Sequence, residues 1–285
     1  MKATHILLAT TVLAMPLPAF AQAAPATQAA EDAAPQEDIV VTAVAQGTNR
    51  LDSSVTVSSI SADSLVELAP RTSGELLRNL PGIRVEASGG DGNANISVRG
   101  LPVASGGSKF LQLQEDGLPI LEFGDITFGN ADIFLRADFN VRTVESVRGG
   151  SASTFASNSP GGVINFISKT GETEGGAFQI SSGLDYREFR ADFDYGGRLS
   201  DSVTYHIGGF SRIGDGQRDV GFDGVRGGQI KANITKSFGN GGYVRLSGKY
   251  LNDRAIGYLP NPVLVAGSNA DPDYRNLTNF SINND

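Results

Sequence analysis

From Phe178 to Tyr250 the chain alternates apolar and polar residues with a period of two. Phe178, Ile180, Leu184 and Tyr186 fall on one side, and Gln179, Ser181 and Asp185 on the other. Phe189, Ala191, Phe193, Tyr195 and Leu199 then alternate with Glu188, Arg190, Asp192 and Asp194. The pattern continues in Val203, Tyr205 and Ile207 against Thr204 and His206, and in Ile230, Ala232, Ile234 and Phe238 against Gln229, Lys231, Asn233 and Thr235. It closes with Val244, Leu246 and Tyr250 against Tyr243, Arg245 and Lys249. Successive side chains of a strand point to opposite faces, so this predicts five antiparallel strands of about ten residues, each apolar on one face and charged on the other. Strands that cross lipid need that division, and a soluble sandwich seldom puts so many charges on one face and aromatics on the other.

Upstream the pattern is mixed. Val55 to Ile60 alternates as a strand; Ser61 caps a short helix through Leu65 and Leu68 that Pro70 stops. Thr72-x-x-Glu75 is a capping-box pattern, and Leu76, Leu77 and Leu80 make one apolar stripe before Pro81-Gly82 ends the helix and Ile83 to Val85 begins a strand. Asn95 to Gly100 reads as a strand ending in Arg-Gly, and Asp116-Gly117 between Leu113 and Leu118 is a hairpin signal. Pro102 to Ser108 is a polar Gly/Ser loop, and Ile120 to Phe139 a longer excursion. From Arg142 to Thr170 the chain reads strand, Gly/Ser-rich turn, strand, the second being the β-branched run Val163 to Ile167. On pattern alone that stretch is two strands of a packed α/β domain.

The N-terminus changes the compartment. Lys2, the apolar run Ile6 to Leu17 and the small-x-small site Ala19-Phe20-Ala21 make a secretory signal (residues 1–21) with cleavage expected after Ala21. The run is too short for a spanning helix and is broken by Pro16 and Pro18. Gln22 to Gln36 is Ala, Pro and Gln, a composition that stays disordered, so residues 22–49 are expected to be a tether. Within it Glu37 and Asp38 lead into Ile39-Val40-Val41-Thr42-Ala43, which reads either as an ordinary first strand or as an exposed strand that pairs with a partner's sheet edge.

Composition narrows the chemistry. A formal net charge of -8 argues against nucleic acid as a partner. There is no cysteine, and after cleavage His206 is the sole histidine, which leaves no Cys/His metal site and no His-based triad; no G-x-x-x-x-G-K-S/T phosphate loop occurs, and no cofactor is expected. Gly149-Gly150-Ser151-Ala152-Ser153 misses the nucleophile-elbow pattern at its last position. The chain is therefore expected not to be an enzyme, and Asp192 and Asp194 are read as wetting a lumen face.

Four segments together resemble one family. Val144-Glu145-x-Val147-Arg148-Gly149 followed by Ser159-x-Gly161-Gly162-Val163-Ile164-Asn165-x-Ile167-x-Lys169 resembles the end of the plug domain of TonB-dependent outer-membrane receptors. Leu76 to Val85, Asn95 to Gly100 and Gln112 to Ile120 match other parts of that family's pattern in the right order, so the likeness runs from about Glu37 to Tyr258. The chain departs from the pattern at Gly150, where Pro is usual, and at Phe155-Ala156, where Tyr-Gly is usual.

The resemblance implies an α+β plug domain, a mixed sheet with short helices over residues 50–170. The first five or so strands of an antiparallel transmembrane β-barrel follow over residues 171–285, with the barrel incomplete. Plugged transporters use about 22 strands, so the expectation is an N-terminal part of a longer receptor that would not transport alone. It implies uptake of a bulky nutrient (ferric siderophore or oligosaccharide class) across the cell outer membrane, with outer-membrane lipid, the nutrient and TonB with its inner-membrane energising complex as partners. Asp38, Ile39, Val40, Val41, Thr42 and Ala43 correspond to the TonB box, and Arg99, Glu145 and Arg148 to plug–barrel ion pairs. Pro102, Ser105, Ser108, Phe123, Asp125 and Phe128 lie on loops expected to touch ligand. The rival from another class is a soluble periplasmic plug-like interaction module.

Overall fold

The computed structural model describes residues 40–41, 48–49, 56–86, 91–102, 110–121, 131–148, 156, 159–216, 221–257, 263–268 and 271–276. The signal, most of the tether, the 103–109 and 122–130 loops and Gly149-Gly150 lie outside them.

Local signals are obeyed in the N-terminal half. After two short paired strands, β1 (Val40–Val41) and β2 (Thr48–Asn49), comes β3 (Thr56–Ser61). Helix α1 (Ala62–Leu68) starts where Ser61 Oγ accepts the Ser64 N–H, and ends at Ala69 in the left-handed region just ahead of Pro70. Helix α2 (Ser73–Leu77) is capped by Thr72, whose hydroxyl accepts the Glu75 N–H at 3.1 Å. Glu75 does not close the box onto Thr72: its carboxylate accepts the Arg71 N–H at 2.9 Å, one residue further out. β4 (Ile83–Glu86) pairs with β5 (Asn95–Val98).

The principal sheet of this mixed body has the order β3-β8-β9-β6-β7, from β6 (Leu111–Glu115), β7 (Leu118–Pro119), β8 (Val141–Arg148) and β9 (Gly162–Ser168). β8 runs antiparallel to β9 and β3, whereas β6 is parallel to β9. Every residue of β9 is buried, Asn165 and Ser168 included, in keeping with its mainly β-branched and aromatic run. Gly162 sits at φ +138, where a Cβ would stand 2.4 Å from the Val147 carbonyl oxygen, so no larger residue fits the β8–β9 approach. Leu76, Leu77, Leu80, Val98, Leu135 and Phe166 are all within 2% of full burial and lie in one core cluster with Ile164 and Val144.

The second half is an antiparallel meander of five strands in sequence order: β10 (Gly175–Ser182), β11 (Glu188–Ser200), β12 (Val203–Gly214), β13 (Val225–Ser237) and β14 (Tyr243–Arg254). The sheet is not closed; β10 and β14 are its edges. Short connections join β11 to β12 and β13 to β14. The connection between β12 and β13 is longer, since β12 runs to Gly214 and β13 starts at Val225. A separate hairpin follows, β15 (Val263–Ser268) with β16 (Asp271–Asn276).

The meander is inverted relative to a soluble sheet. Phe178, Ile180, Ile230, Leu246 and Tyr250 are exposed on one face, while Arg190, Asp192, Asp194, His206, Arg212 and Gln229 are buried on the other, against the mixed body. Among the described residues, no helix is long and apolar enough to cross a membrane.

Candidate functional site

The buried polar face and the mixed body meet along a charged seam, with the contacts in separate groups. At one end Asp253 on β14 accepts Arg136 Nε at 2.6 Å and both Arg212 Nε and Nη2, at 2.8 and 2.6 Å. Asp91 lies 2.8 Å from Arg212 Nη2 and 3.8 Å from Arg136 Nε, in ion-pair contact without hydrogen-bond geometry. Two of these residues come from the body and two from the wall of strands, all four side chains are nearly water-free, and the charges sum to zero. Burial of that many charges is tolerable only because each faces an opposite one.

Behind this group Asp132 accepts the Ala94 N–H at 3.1 Å and the Ser73 hydroxyl at 3.4 Å, tying helix α2 to the start of β5. Burial, aided by nearby Asp91, pushes its carboxyl up to about 6. Further along, Arg190 grips Asp192 with two hydrogen bonds of 2.6 and 2.7 Å while its guanidinium lies over the Phe210 ring, 4.1 Å from the centroid. At the far end Asp194 accepts Lys169 Nζ at 2.8 Å and lies 3.1 Å from His206 Nε2.

The group around Glu115 is the most readily tested. This carboxylate, at the hairpin end of β6, takes Lys231 Nζ at 2.7 Å and Lys249 Nζ at 2.9 Å. Burial pushes its pKa up, but the two ammonium groups outweigh that and hold it below the ordinary carboxylate value. A depressed carboxylate stabilises the folded state at every pH above its unfolded pKa and loses that contribution as pH falls through the depressed value. The grip on β13 and β14 is therefore expected to be flat from neutral pH into weak acid and to weaken only below the usual Glu range. Glu115→Gln should remove that acid limb from a pH series of thermal unfolding; an unchanged limb would mean that Glu115 is not the group responsible.

The residues singled out from sequence lie elsewhere. Arg148 ends β8 buried, donating to the Pro81 carbonyl and to Ser58 Oγ, with Nε unpartnered. Burial and the charge of Arg99 hold its guanidinium below its usual pKa. Arg99 is exposed, with φ +48. Glu145 is fully buried in the middle of β8, opposite Ser59 and Asn165. Of the TonB-box segment, the Val40–Val41 backbone is paired with Thr48–Asn49, and Asp38, Ile39, Thr42 and Ala43 lie outside the described residues. Pro102 is exposed; Ser105, Ser108, Phe123, Asp125 and Phe128 lie outside the described residues. Asp192 and Asp194, read from sequence as wetting a lumen, are instead 5% exposed and paired. The sequence reading missed Asp91, Glu115, Arg136, Lys169, Arg212 and Asp253 as seam residues. One signal for them was present: a row of charges on one face of consecutive strands needs opposite charges from whatever covers that face.

A mixed body whose charged loops are held by the polar face of a meander, while the other face shows apolar side chains outward, has the architecture of a plug seated against the start of a membrane β-barrel wall. Residues 49–163 match the TonB-dependent Receptor Plug Domain. It is 28% identical over 185 residues to the pesticin receptor of Yersinia pestis, covering 64% of this chain and 26% of that protein. Over 163 residues it is 32% identical to the vitamin B12 transporter BtuB of Vibrio cholerae, covering 56% and 25%. The matched stretch thus spans about a quarter of the length of these curated relatives. Among solved structures, the alcaligin outer-membrane receptor FauA of Bordetella pertussis superposes with a TM-score of 0.59 at 19% identity, over 75% of this chain and 35% of that one. The ferric yersiniabactin uptake receptor FyuA of Yersinia pestis gives 0.51 at 23% identity, over 64% and 29%. These two likenesses establish the fold.

Proposed function

We propose that the chain supplies the plug and leading wall strands of an outer-membrane receptor that imports a bulky nutrient, of the ferric siderophore class, by TonB-driven displacement of the plug. The observation that carries this reading is the seam itself. A body held to a strand wall by charged pairs, with the wall's apolar face outward, suits a stopper in a lipid-embedded barrel and has no use in a soluble module. In this proposal the nutrient belongs to the ferric siderophore class, like the ferric yersiniabactin taken up by FyuA, with vitamin B12, the cargo of BtuB, as the alternative.

In this reading residues 1–21 direct export and residues 22–49 are a leash whose Asp38 to Ala43 strand pairs with TonB, itself energised from the inner membrane. Residues 50–170 form the stopper. The short β11–β12 and β13–β14 turns face the periplasm, and the loops carrying Pro102, Ser105, Ser108, Phe123, Asp125 and Phe128 face the ligand. Arg99 and Arg148, with Glu145 as a further charge on β8, anchor the plug to acids on wall strands other than β10–β14. The chemistry is mechanical: ligand is held, the leash is pulled, and the seam opens without a catalysed bond change.

Deletion of residues 38–43 in the receptor as its gene encodes it is expected to abolish uptake of radio-iron supplied as ferric siderophore while leaving the same complex bound at the cell surface. Retained uptake would refute the leash.

A further inference from the structure

Three residues of the plug segment Ala137 to Asn140 touch three successive wall strands. The Ala137 carbonyl accepts Arg190 Nη2 of β11 at 2.8 Å, and Asp138 Oδ2 accepts Gln229 Nε2 of β13 at 2.7 Å. Between them Asn140 meets β12 at Gly208. The segment is internally braced. The Asn140 N–H donates to Asp138 Oδ1 at 3.0 Å, its Nδ2 donates to Asp138 Oδ2 at 2.8 Å, and the Val141 N–H donates to the Asp138 carbonyl at 3.3 Å. Both polar side chains are buried, Asn140 to 1% exposure.

The approach at Gly208 is closer than any side chain permits. A Cβ there would lie 2.8 Å from Asn140 Oδ1, 2.7 Å from the Phe193 carbonyl oxygen and 2.8 Å from Asp194 Cβ. Position 208 falls between buried His206 and Phe210 on the two-residue period of β12, so a side chain would project toward the plug. Asn140 Oδ1 has no hydrogen-bond donor, so shape and not a bond sets its place against the wall.

We propose that Ala137–Asn140 is a key and Gly208 its keyhole, which together fix the depth at which the plug seats and so how tightly the seam is closed in the resting receptor. This rests on the receptor reading above and adds the element of the plug that registers it in the wall. The ion pairs supply attraction, which long flexible side chains can satisfy over a range of positions. The Asn140 side chain, braced by its hydrogen bonds to Asp138 and resting on the bare backbone at Gly208, has little room to slide, so it determines the register.

The test uses the receptor as its gene encodes it, in the outer membrane of a Gram-negative host, with leak read as nitrocefin hydrolysis by a periplasmic β-lactamase in intact cells. Gly208→Leu is expected to raise the leak about tenfold at equal receptor abundance, the population shift that ~1.4 kcal/mol of overpacking produces. Asn140→Gly in the same receptor should reverse the part that the key causes, because it removes Oδ1, while crowding against the Phe193 carbonyl and Asp194 Cβ of β11 stays. Gly208→Ala should show a smaller rise with the same rescue. Gly209→Ala is the control: its Cβ would strike the Gln229 backbone, straining the wall without meeting the key, and Asn140→Gly should not rescue it. Should the Gly208 variants fail to reach the membrane, restoration of their level by Asn140→Gly supports the key. No leak, or a leak or assembly defect that Asn140→Gly leaves unchanged, overturns it. Absence of wild-type, heat-modifiable material from the outer membrane would overturn the receptor reading instead.

Discussion

Asp253→Ala is expected to destabilise the seating of the plug by about 3–5 kcal/mol, the cost of leaving a buried charge cluster without one of its members. Asp253 is fully buried and serves two guanidinium groups, Arg136 from the plug and Arg212 from the wall. Its loss leaves two cations facing Asp91 alone, a net buried charge of one. The check is calorimetric unfolding of the purified receptor in detergent, run as a double-mutant cycle with Arg212→Ala. Removing Arg212 as well leaves Asp91 and Arg136 to neutralise each other, so the double variant should cost less than the sum of the single ones. Equal additivity, with Asp253→Ala within about 0.5 kcal/mol of wild type, would mean that water reaches the cluster and that its charges act as ordinary surface pairs.

Ile230→Arg is expected to prevent stable insertion, at about 2–4 kcal/mol for an arginine at the bilayer midplane on the lipid face of a barrel strand. Ile230 is near the middle of β13, beside Gly209 on β12 and Tyr250 on β14, with its side chain 43% exposed. The readout is the fraction of receptor that folds into lipid vesicles, scored by heat-modifiable mobility, with Lys231→Met as the comparison from the opposite face. Lys231 meets Glu115, so its loss should loosen the plug without blocking insertion. The soluble-module alternative predicts the reverse order: arginine at an exposed apolar position would be harmless. Normal insertion of Ile230→Arg would therefore count against the membrane reading.

Much of the fold is legible in the sequence because its signals are local. The Ser61 and Thr72 caps, the Asp116-Gly117 turn and the β9 run each depend on a few adjacent residues, and each is present in the structure. The two-residue alternation correctly divides the wall into an apolar and a charged face, since strand geometry leaves no other arrangement. The parallel pairing of β6 with β9 is not legible in this way, because the two strands are separated by β7 and β8 and nothing local distinguishes the order β3-β8-β9-β6-β7 from its alternatives.

The seam shows where the division lies. From the chain alone one can say that Asp192, Asp194, Lys231 and Lys249 belong to the polar face, that the opposite face is suited to lipid, and that a mixed domain comes before the strands. Only the folded protein decides that Lys249 meets Glu115, that Arg136 and Arg212 share Asp253, and that Asn140 rests on Gly208. The physical reason is that periodicity assigns a side chain to a face at the cost of knowing only its neighbours, whereas a buried ion pair depends on strand register and on the depth and rotation of the body opposite. Those are properties of the packed molecule, set by residues more than a hundred positions apart, as Glu115 is from Lys231 and Lys249.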